Sequence, residues 1–434
     1  MTIVPAAELW RRVALLAGID ATYGAPFGAL EVVPVAGLAA PLFAAAHQRV
    51  HGARAAAHRG DGVFWLPGLD HEPCHTIEAD SAEALVAALP ALSSSGEVEL
   101  RITLESDQPV QGSVPPVSVR PVPARDDNWI EPADETVAAA AAAAALVVLA
   151  GPGVIRDGAV PGLHDLAVAA GVGVLNTWGA KGVFDWRSRH HLATVGLQAD
   201  DFVLSELDRA DLIIATGLDP AESPDDRWRL APALTIAPGG LAPLAERCGS
   251  IRRQPLTMPP LRARLAEVTQ RGWRVAASPL PPSRATMHYA ECVAAGALVA
   301  ADAGDAGFWV ARTLGTTRLG AVIVPPTALR GFAAACVAVS LLRRPGRPAL
   351  AVIDRADAEA TALVVDAAAA LRVGVPVEAW DPDGDRLDAD AHRERLRRLV
   401  LSGVPAGVAP CTLATDPHQL SEMIGAAGPI VAWT

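Results

Sequence analysis

The stretch Leu146-Val147-Val148-Leu149, followed after Ala150 by Gly151-Pro152-Gly153-Val154-Ile155-Arg156, decides the reading of this chain. A short apolar run rich in valine that ends in a Gly-Pro-Gly turn reads as a buried strand feeding a helix. The uncharged run around it, Thr136 to Ile155, is mostly alanine in its first part. Hydrocarbon insertion favours leucine and phenylalanine over alanine, so the run reads as a helix followed by a strand and not as a membrane span. Downstream, Gly173-Val174-Leu175 and Asp211-Leu212-Ile213-Ile214-Ala215 repeat the pattern, each after a helical stretch. This βαβ alternation calls for a parallel sheet covered by helices on both faces.

The same rhythm extends in both directions. Toward the N-terminus, Ala6 to Leu16 sets Leu9, Val13 and Leu16 on one helical face, Ser81 to Leu89 reads as a second helix, and Val98 to Leu104 alternates as a strand. Pro109 to Pro123 is rich in Pro, Ser and Val and reads as a linker. Toward the C-terminus, after Pro279-Leu280-Pro281-Pro282, apolar runs recur at Ala297–Ala300, Ala349–Ile353 and Val375–Trp380. The chain thus divides into segments 1–125, 126–275 and 283–434. The expected fold class is α/β with three doubly wound parallel-sheet domains, and 434 residues at ~150 per domain agree with three.

Charge and composition exclude several function classes. Lys plus Arg number 36 against 48 Asp plus Glu, a net charge of −12, which argues against a nucleic-acid surface. Lys181 is the sole lysine and is followed by Gly182 instead of Ser or Thr, so Schiff-base chemistry and a P-loop have almost no candidates. Five cysteines are scattered without any CxxC spacing, which suits a reducing cytoplasm and provides no metal framework. Met1-Thr2-Ile3-Val4-Pro5 has neither the basic nor the apolar region of a signal peptide. The expectation is a cytoplasmic protein without membrane or nucleic-acid partners.

The short motifs are weak when their surroundings are considered. His71-Glu72-Pro73-Cys74-His75 fits the zinc-binding HExxH pattern, but Pro73 interrupts the helix that would align the two histidines, so a polar loop is expected. In Gly151-Pro152-Gly153 and onward, Arg156 stands where a dinucleotide fingerprint needs its third glycine, and Pro152 removes one amide. A tight strand-to-helix turn is the expected reading. Asp381-Pro382-Asp383-Gly384-Asp385 begins like a calcium loop but has Ala391 or His392 where the bidentate glutamate belongs. His190-His191 and His47, His51 and His58 lie among arginines and are expected at the surface. Cys336, inside the apolar run from Phe332, is expected to be a buried, inert thiol.

The central segment resembles the middle domain of thiamine-diphosphate-dependent enzymes of the acetolactate synthase and 2-oxoacid decarboxylase type. The resemblance is carried by Gly151 to Ala159, then Gly179-Ala180-Lys181-Gly182-Val183-Phe184, Val195-Gly196-Leu197, and Glu206 to Gly217. Flanking stretches follow in family order. Residues 8–34, with Tyr23-Gly24-Ala25-Pro26-Phe27-Gly28, and Thr76 to Gln111 resemble the pyrimidine-binding domain. Val299-Ala300-Ala301-Asp302-Ala303-Gly304, Gly331 to Pro348, Thr415-Asp416-Pro417 and Gly428-Pro429-Ile430-Val431 resemble the diphosphate-binding domain.

The resemblance also exposes what differs. The family's ylid-forming glutamate has no counterpart in Leu42-Phe43-Ala44-Ala45-Ala46-His47. Asp354-Arg355-Ala356-Asp357 falls on the family's magnesium motif, with Arg355 in place of the metal-binding aspartate and Asp381-Pro382 in the region of the asparagine ligand. Arg330 stands where the family has the apolar residue that bends the cofactor. The resemblance therefore implies a pseudoenzyme that has lost thiamine diphosphate and Mg²⁺, acting as a structural or regulatory subunit or as an anion-binding module. Arg330, Arg355, Asp302 and Gly304 are the candidate anion pocket. Arg355 paired with Asp354 or Asp357 is the plainer expectation for that residue. A homodimer or higher oligomer, or docking to a heteromeric enzyme partner, is implied, because family sites form between chains. Two alternatives stand: a working thiamine-diphosphate lyase or carboligase whose ligands lie elsewhere, and an enzyme holding FAD or ADP in the central domain.

Overall fold

The computed structural model describes residues 2–27, 32–35, 39–68, 74–93, 97–112, 130–248 and 257–433. In the first segment, helix α1 (Ala6–Leu16) buries Leu9, Trp10 and Val13, and its outward Glu8 lies 2.7 and 2.8 Å from Arg11 and Arg12. Strand β1 (Ile19–Gly24), helix α2 (Ala39–His51), β2 (Arg54–Gly60), β3 (Val63–Leu66), β4 (His75–Ala79) and β5 (Val98–Ile102) follow. With the short strand Val33–Pro34 at one edge, they form a sheet ordered β1-β2-β3-β5-β4. The pairs β1–β2 and β4–β5 are parallel, whereas β2–β3 and β3–β5 are antiparallel.

The expected doubly wound parallel sheet is corrected here to a mixed one. Asp61-Gly62 joins β2 to β3 with φ of 48° and 72°, a two-residue hairpin loop that cannot hold a crossover helix. Pro109–Gly112, expected to open a linker, instead pairs antiparallel with Thr2–Pro5, and residues 113–129 lie outside the described residues.

The central segment matches its expected pattern. Helix α3 (Asp134–Ala142) is followed by β6 (Leu146–Ala150), α4 (Val160–Ala169), β7 (Gly173–Thr177), β8 (His191–Val195), β9 (Leu212–Thr216), β10 (Ala233–Thr235) and α5 (Leu241–Cys248). The alanine run breaks between α3 and β6, where the Asp211 carboxylate accepts the Ala144 and Ala145 amides at 3.1 and 2.8 Å. All strands are parallel, ordered β8-β7-β6-β9-β10, so the order reverses between β6 and β9.

Helix α6 (Pro260–Trp273) leads to the last sheet. Its elements are α7 (Pro282–Ala294), β11 (Leu298–Ala301), α8 (Asp305–Thr313), β12 (Val322–Ile323), α9 (Phe332–Arg343), β13 (Ala349–Asp354), α10 (Ala358–Ala370), β14 (Val377–Trp380), α11 (Ala389–Leu401), β15 (Cys411–Leu413) and α12 (His418–Ala427). This sheet is wholly parallel, ordered β12-β11-β13-β14-β15, and reverses between β11 and β13.

The three segments pack into one body. Phe43, Ala40 and Ala44 of α2 share a core with Ala333 to Val339 of α9. Arg343 on α9 lies 3.3 Å from Asp20, and Arg49 on α2 donates to the carbonyls of Gly179 at 3.3 Å and Val324 at 3.5 Å. Arg312 on α8 holds Asp201 through two hydrogen bonds of 2.8 and 2.7 Å, with both side chains fully buried. No helix among the described residues is long and apolar enough to cross a membrane.

Candidate functional site

In an open parallel sheet, ligands gather beyond the carboxyl ends of the strands, where the strand order reverses. In the last sheet that place is the junction of β11 and β13, and it is crowded with the chain's own carboxylates. Asp302, just past β11, is buried and accepts the backbone N–H of Gly331 at 2.7 Å and of Ala333 at 2.6 Å, at the start of α9. Burial pushes this carboxyl up to about 7 although the two amides favour its charged form. Asp354, at the end of β13, accepts the Ala306 N–H at the start of α8, at 3.1 and 3.3 Å to its two oxygens. Burial and then the neighbouring Asp305 push it up to about 7. Gly304 makes this approach possible: its φ is 122°, and a Cβ there would lie 2.3 Å from Asp354 Oδ2. Both helix N-termini at the switch point, places that attract anions, are therefore already faced by carboxylates.

The two arginines singled out in the sequence do not converge on an open anion site. Arg330 Nε lies 3.3 Å from Asp357, and the Arg355 guanidinium donates to Asp381. Both side chains are largely exposed, at 71% and 69%. The surface pairing expected for Arg355 is present, but with Asp381 beyond β14 instead of Asp354 or Asp357. That contact holds the Asp381 carboxyl below the usual carboxylate range. Mg²⁺ demands oxygen ligands in near-octahedral array, and a diphosphate needs free amides and cations. This edge presents a guanidinium tied to an aspartate and amides taken by carboxylates, a donor set that does not fit the pair. Among the described residues no group of three or more metal-binding side chains converges. In the first segment, α2 buries Phe43, Ala44, Ala46 and His47 and offers no carboxylate.

The crevice of the central sheet is closed by backbone. The Gly151 N–H donates to Thr216 at 2.9 Å and the Gly153 N–H to Gly217 at 2.8 Å, which consumes amides that could hold a phosphate. A Cβ on Gly151 would lie 2.2 Å from the Gly217 carbonyl oxygen, so the two loops touch directly. Nearby, the buried Glu222 accepts the Gly179 N–H at 2.9 Å, and burial pushes its carboxyl up to about 7 against the pull of Arg49. Lys181 is buried too, and burial followed by the charge of Arg312 brings its amine down to about 7. Glu222 carried no sequence signal, because only the folded loops bring it beneath Gly179.

Three histidines expected at the surface are buried, which corrects that reading: His47, His58 and His190. Each has an internal partner that neighbouring arginines in sequence could not reveal. His47 Nδ1 lies 2.8 Å from the Tyr23 hydroxyl, His58 Nδ1 lies 2.7 Å from the Ala25 carbonyl, and His190 Nδ1 lies 2.9 Å from the Val172 carbonyl. Another buried group was missed. Glu378 accepts hydrogen bonds from Tyr289 and from Arg395 at 2.8 Å, and His392 Nε2 lies 3.1 Å away. His71 to Pro73 of the HExxH pattern lie outside the described residues, while His75 begins the extended β4. Asp381 to Asp385 form a turn in which the Asp381 carboxylate accepts the Asp383 N–H at 3.0 Å. Cys336 is fully buried, and its thiol is pushed well above the ordinary range by burial.

Residues 133–233 match the protein family described as thiamine pyrophosphate enzyme, central domain. No curated protein matched the chain. The matched span runs from the residue before α3 into β10 and contains the whole reversal of the central sheet. It includes Gly151 to Ala159 and Glu206 to Gly217, on which the resemblance rested. The fold agrees, since the central and last sheets are both wholly parallel. Residues 133–233 are thus similar to the central domain of thiamine pyrophosphate enzymes.

Proposed function

We propose that this chain is a non-catalytic relative of thiamine-diphosphate-dependent enzymes, a structural or regulatory subunit that takes up neither thiamine diphosphate nor Mg²⁺. One observation carries the reading: at the reversal point of the last sheet, Asp354 occupies the start of α8 while the adjacent Arg355 is bound to Asp381. A carboxylate at a helix N-terminus repels a diphosphate, and a guanidinium at the magnesium motif repels the metal. The ion-paired state of Arg330 and Arg355 favours a structural role over anion capture. The contacts that consume the Gly151 and Gly153 amides argue likewise against a nucleotide in the central crevice. Titration calorimetry of the full chain with thiamine diphosphate and Mg²⁺ tests the proposal. No saturable heat is expected, and micromolar, metal-dependent binding would overturn it in favour of a working lyase or carboligase.

A further inference from the structure

Two buried histidines of the last segment face each other: Nδ1 of His288 on α7 lies 2.9 Å from Nδ1 of His392 on α11. We infer that this pair is a proton-operated latch, which holds α11 against α7 while the two rings share one proton and releases it when acid supplies a second. The inference is independent of whether the chain takes up a cofactor. The sequence of α11 makes the helix dependent on this contact. Of its 13 residues Ala389, His392, Leu396 and Val400 are buried, three or four apart on one face, and the others are mostly charged. A polar ring thus takes the second of four anchoring places. Facing it, α7 buries His288, Tyr289, Cys292 and Val293. A helix held by so few buried groups belongs to the low-stability end of a fold and can open by itself.

A proton count shows why acid breaks the contact. Against its burial, His392 and Arg395 hold Glu378 at about 2, so it stays a carboxylate. A carboxylate only accepts, and His392 Nε2, 3.1 and 3.2 Å from its oxygens, therefore carries a proton. Between the two facing Nδ1 atoms a hydrogen bond needs one donor and one acceptor, hence one proton. A second leaves two N–H groups opposed across 2.9 Å. It also makes His288 a buried cation whose Nε2 has no hydrogen-bond partner among the described residues. The surrounding charges bring no relief. Arg284 on α7 and Arg393 on α11 add positive charge. Glu291 and Asp390 lie 2.9 and 3.0 Å from Arg393, and Asp385 lies 3.0 Å from Arg395. Glu378 already accepts from Tyr289 and Arg395 as well. Burial pushes the thiols of Cys292 and Cys411 up to about 11 and about 12, so both stay neutral. Burial, and then His392, Arg284 and Arg393, bring His288 down to about 3 in the closed seam. Once the seam opens the ring regains its ordinary 6.5, so the closed state is fully favoured above pH 6.5 and loses about tenfold per pH unit below it.

Hydrogen exchange of the full chain, followed by mass spectrometry at pH 7, 6 and 5 and corrected for intrinsic rates, tests the latch. Protection of residues 389–401 is expected to fall by about tenfold between pH 6 and 5, while that of β6 and β9 changes by less than about twofold. The variant H288N keeps an N–H for His392 Nδ1 and cannot take the second proton, so its α11 protection should be level over the same range. Native circular dichroism at pH 7 shows whether it folds, and H288Q takes its place if it does not. A level α11 profile in the parent, an unchanged slope in a folded variant, or an equal loss of protection throughout the chain would each overturn the inference. If neither variant folds, the parent profile alone decides: a loss confined to α7 and α11 supports the latch, and a loss elsewhere refutes it.

Discussion

Asp354 shows how far one residue can be read. From sequence it is the first position of a displaced metal motif; in the fold it is a buried acid at a helix start, raised to about 7 by burial and by Asp305. An acid whose folded pKa is raised contributes most below its unfolded value near 3.8, and that contribution is lost as pH climbs toward 7. Asparagine reproduces the protonated form and can still accept the Ala306 N–H. The variant D354N should therefore match the parent at pH 4 and exceed it at pH 8 by on the order of 1–3 kcal/mol, measured by urea denaturation at both pH values. Equal stabilities at pH 8 would show that the charged carboxylate is compensated there. Arg355 was legible as an intruder in the motif. Its partner Asp381 was not, because two residues at the ends of neighbouring strands are distant in sequence and only the β13–β14 register aligns them.

At the scale of elements, the regular pieces were readable and their partnerships were not. The apolar runs became β6, β7, β9, β11, β13 and β14 within a residue or two, because a strand buried on both faces needs such a run wherever it occurs. The Asp61-Gly62 hairpin was overlooked and changed the first sheet from parallel to mixed. The histidines of α2 and β2 were misplaced because burial of a polar ring depends on a partner supplied by another element. The strongest link between elements, Arg312 on α8 with Asp201, also has no local signature. Removing one partner of a fully buried ion pair leaves an uncompensated charge, so D201A should cost ~3–5 kcal/mol. The exposed pair Arg229–Asp225, with N···O at 2.9 Å, should lose no more than ~1 kcal/mol in R229A. Urea denaturation of both variants at pH 7 checks the contrast, and similar costs for the two would refute it.

For the molecule as a whole, the buried titratable groups oppose one another. Burial raises Glu222, Asp302 and Asp354 each to about 7, so their contributions decline as pH rises from about 4 toward 7. Burial lowers His51 and His191 to about 4 and His288 to about 3, so their contributions decline in the other direction, as pH falls below 6.5. Three groups of each kind should give a nearly level stability between about pH 4.5 and 6.5. Below pH 4.5 a loss should set in, because Glu378 is held at about 2 by His392 and Arg395 despite its burial. Urea midpoints measured across this range test the balance, and a steep slope between pH 5 and 6 would contradict it. None of this was visible in the net charge of −12, which counts charges without locating them.

The shared core of α2 and α9 also has a consequence in time. On the ribosome, α2 emerges long before α9, and at ~5–20 residues per second the delay is roughly 15–60 s. During that interval Phe43 and its alanine neighbours lack the α9 surface that covers them, and Arg49 lacks its Val324 acceptor until just before α9 is made. The nascent N-terminal segment therefore carries an uncovered apolar face on α2 until α9 has been made.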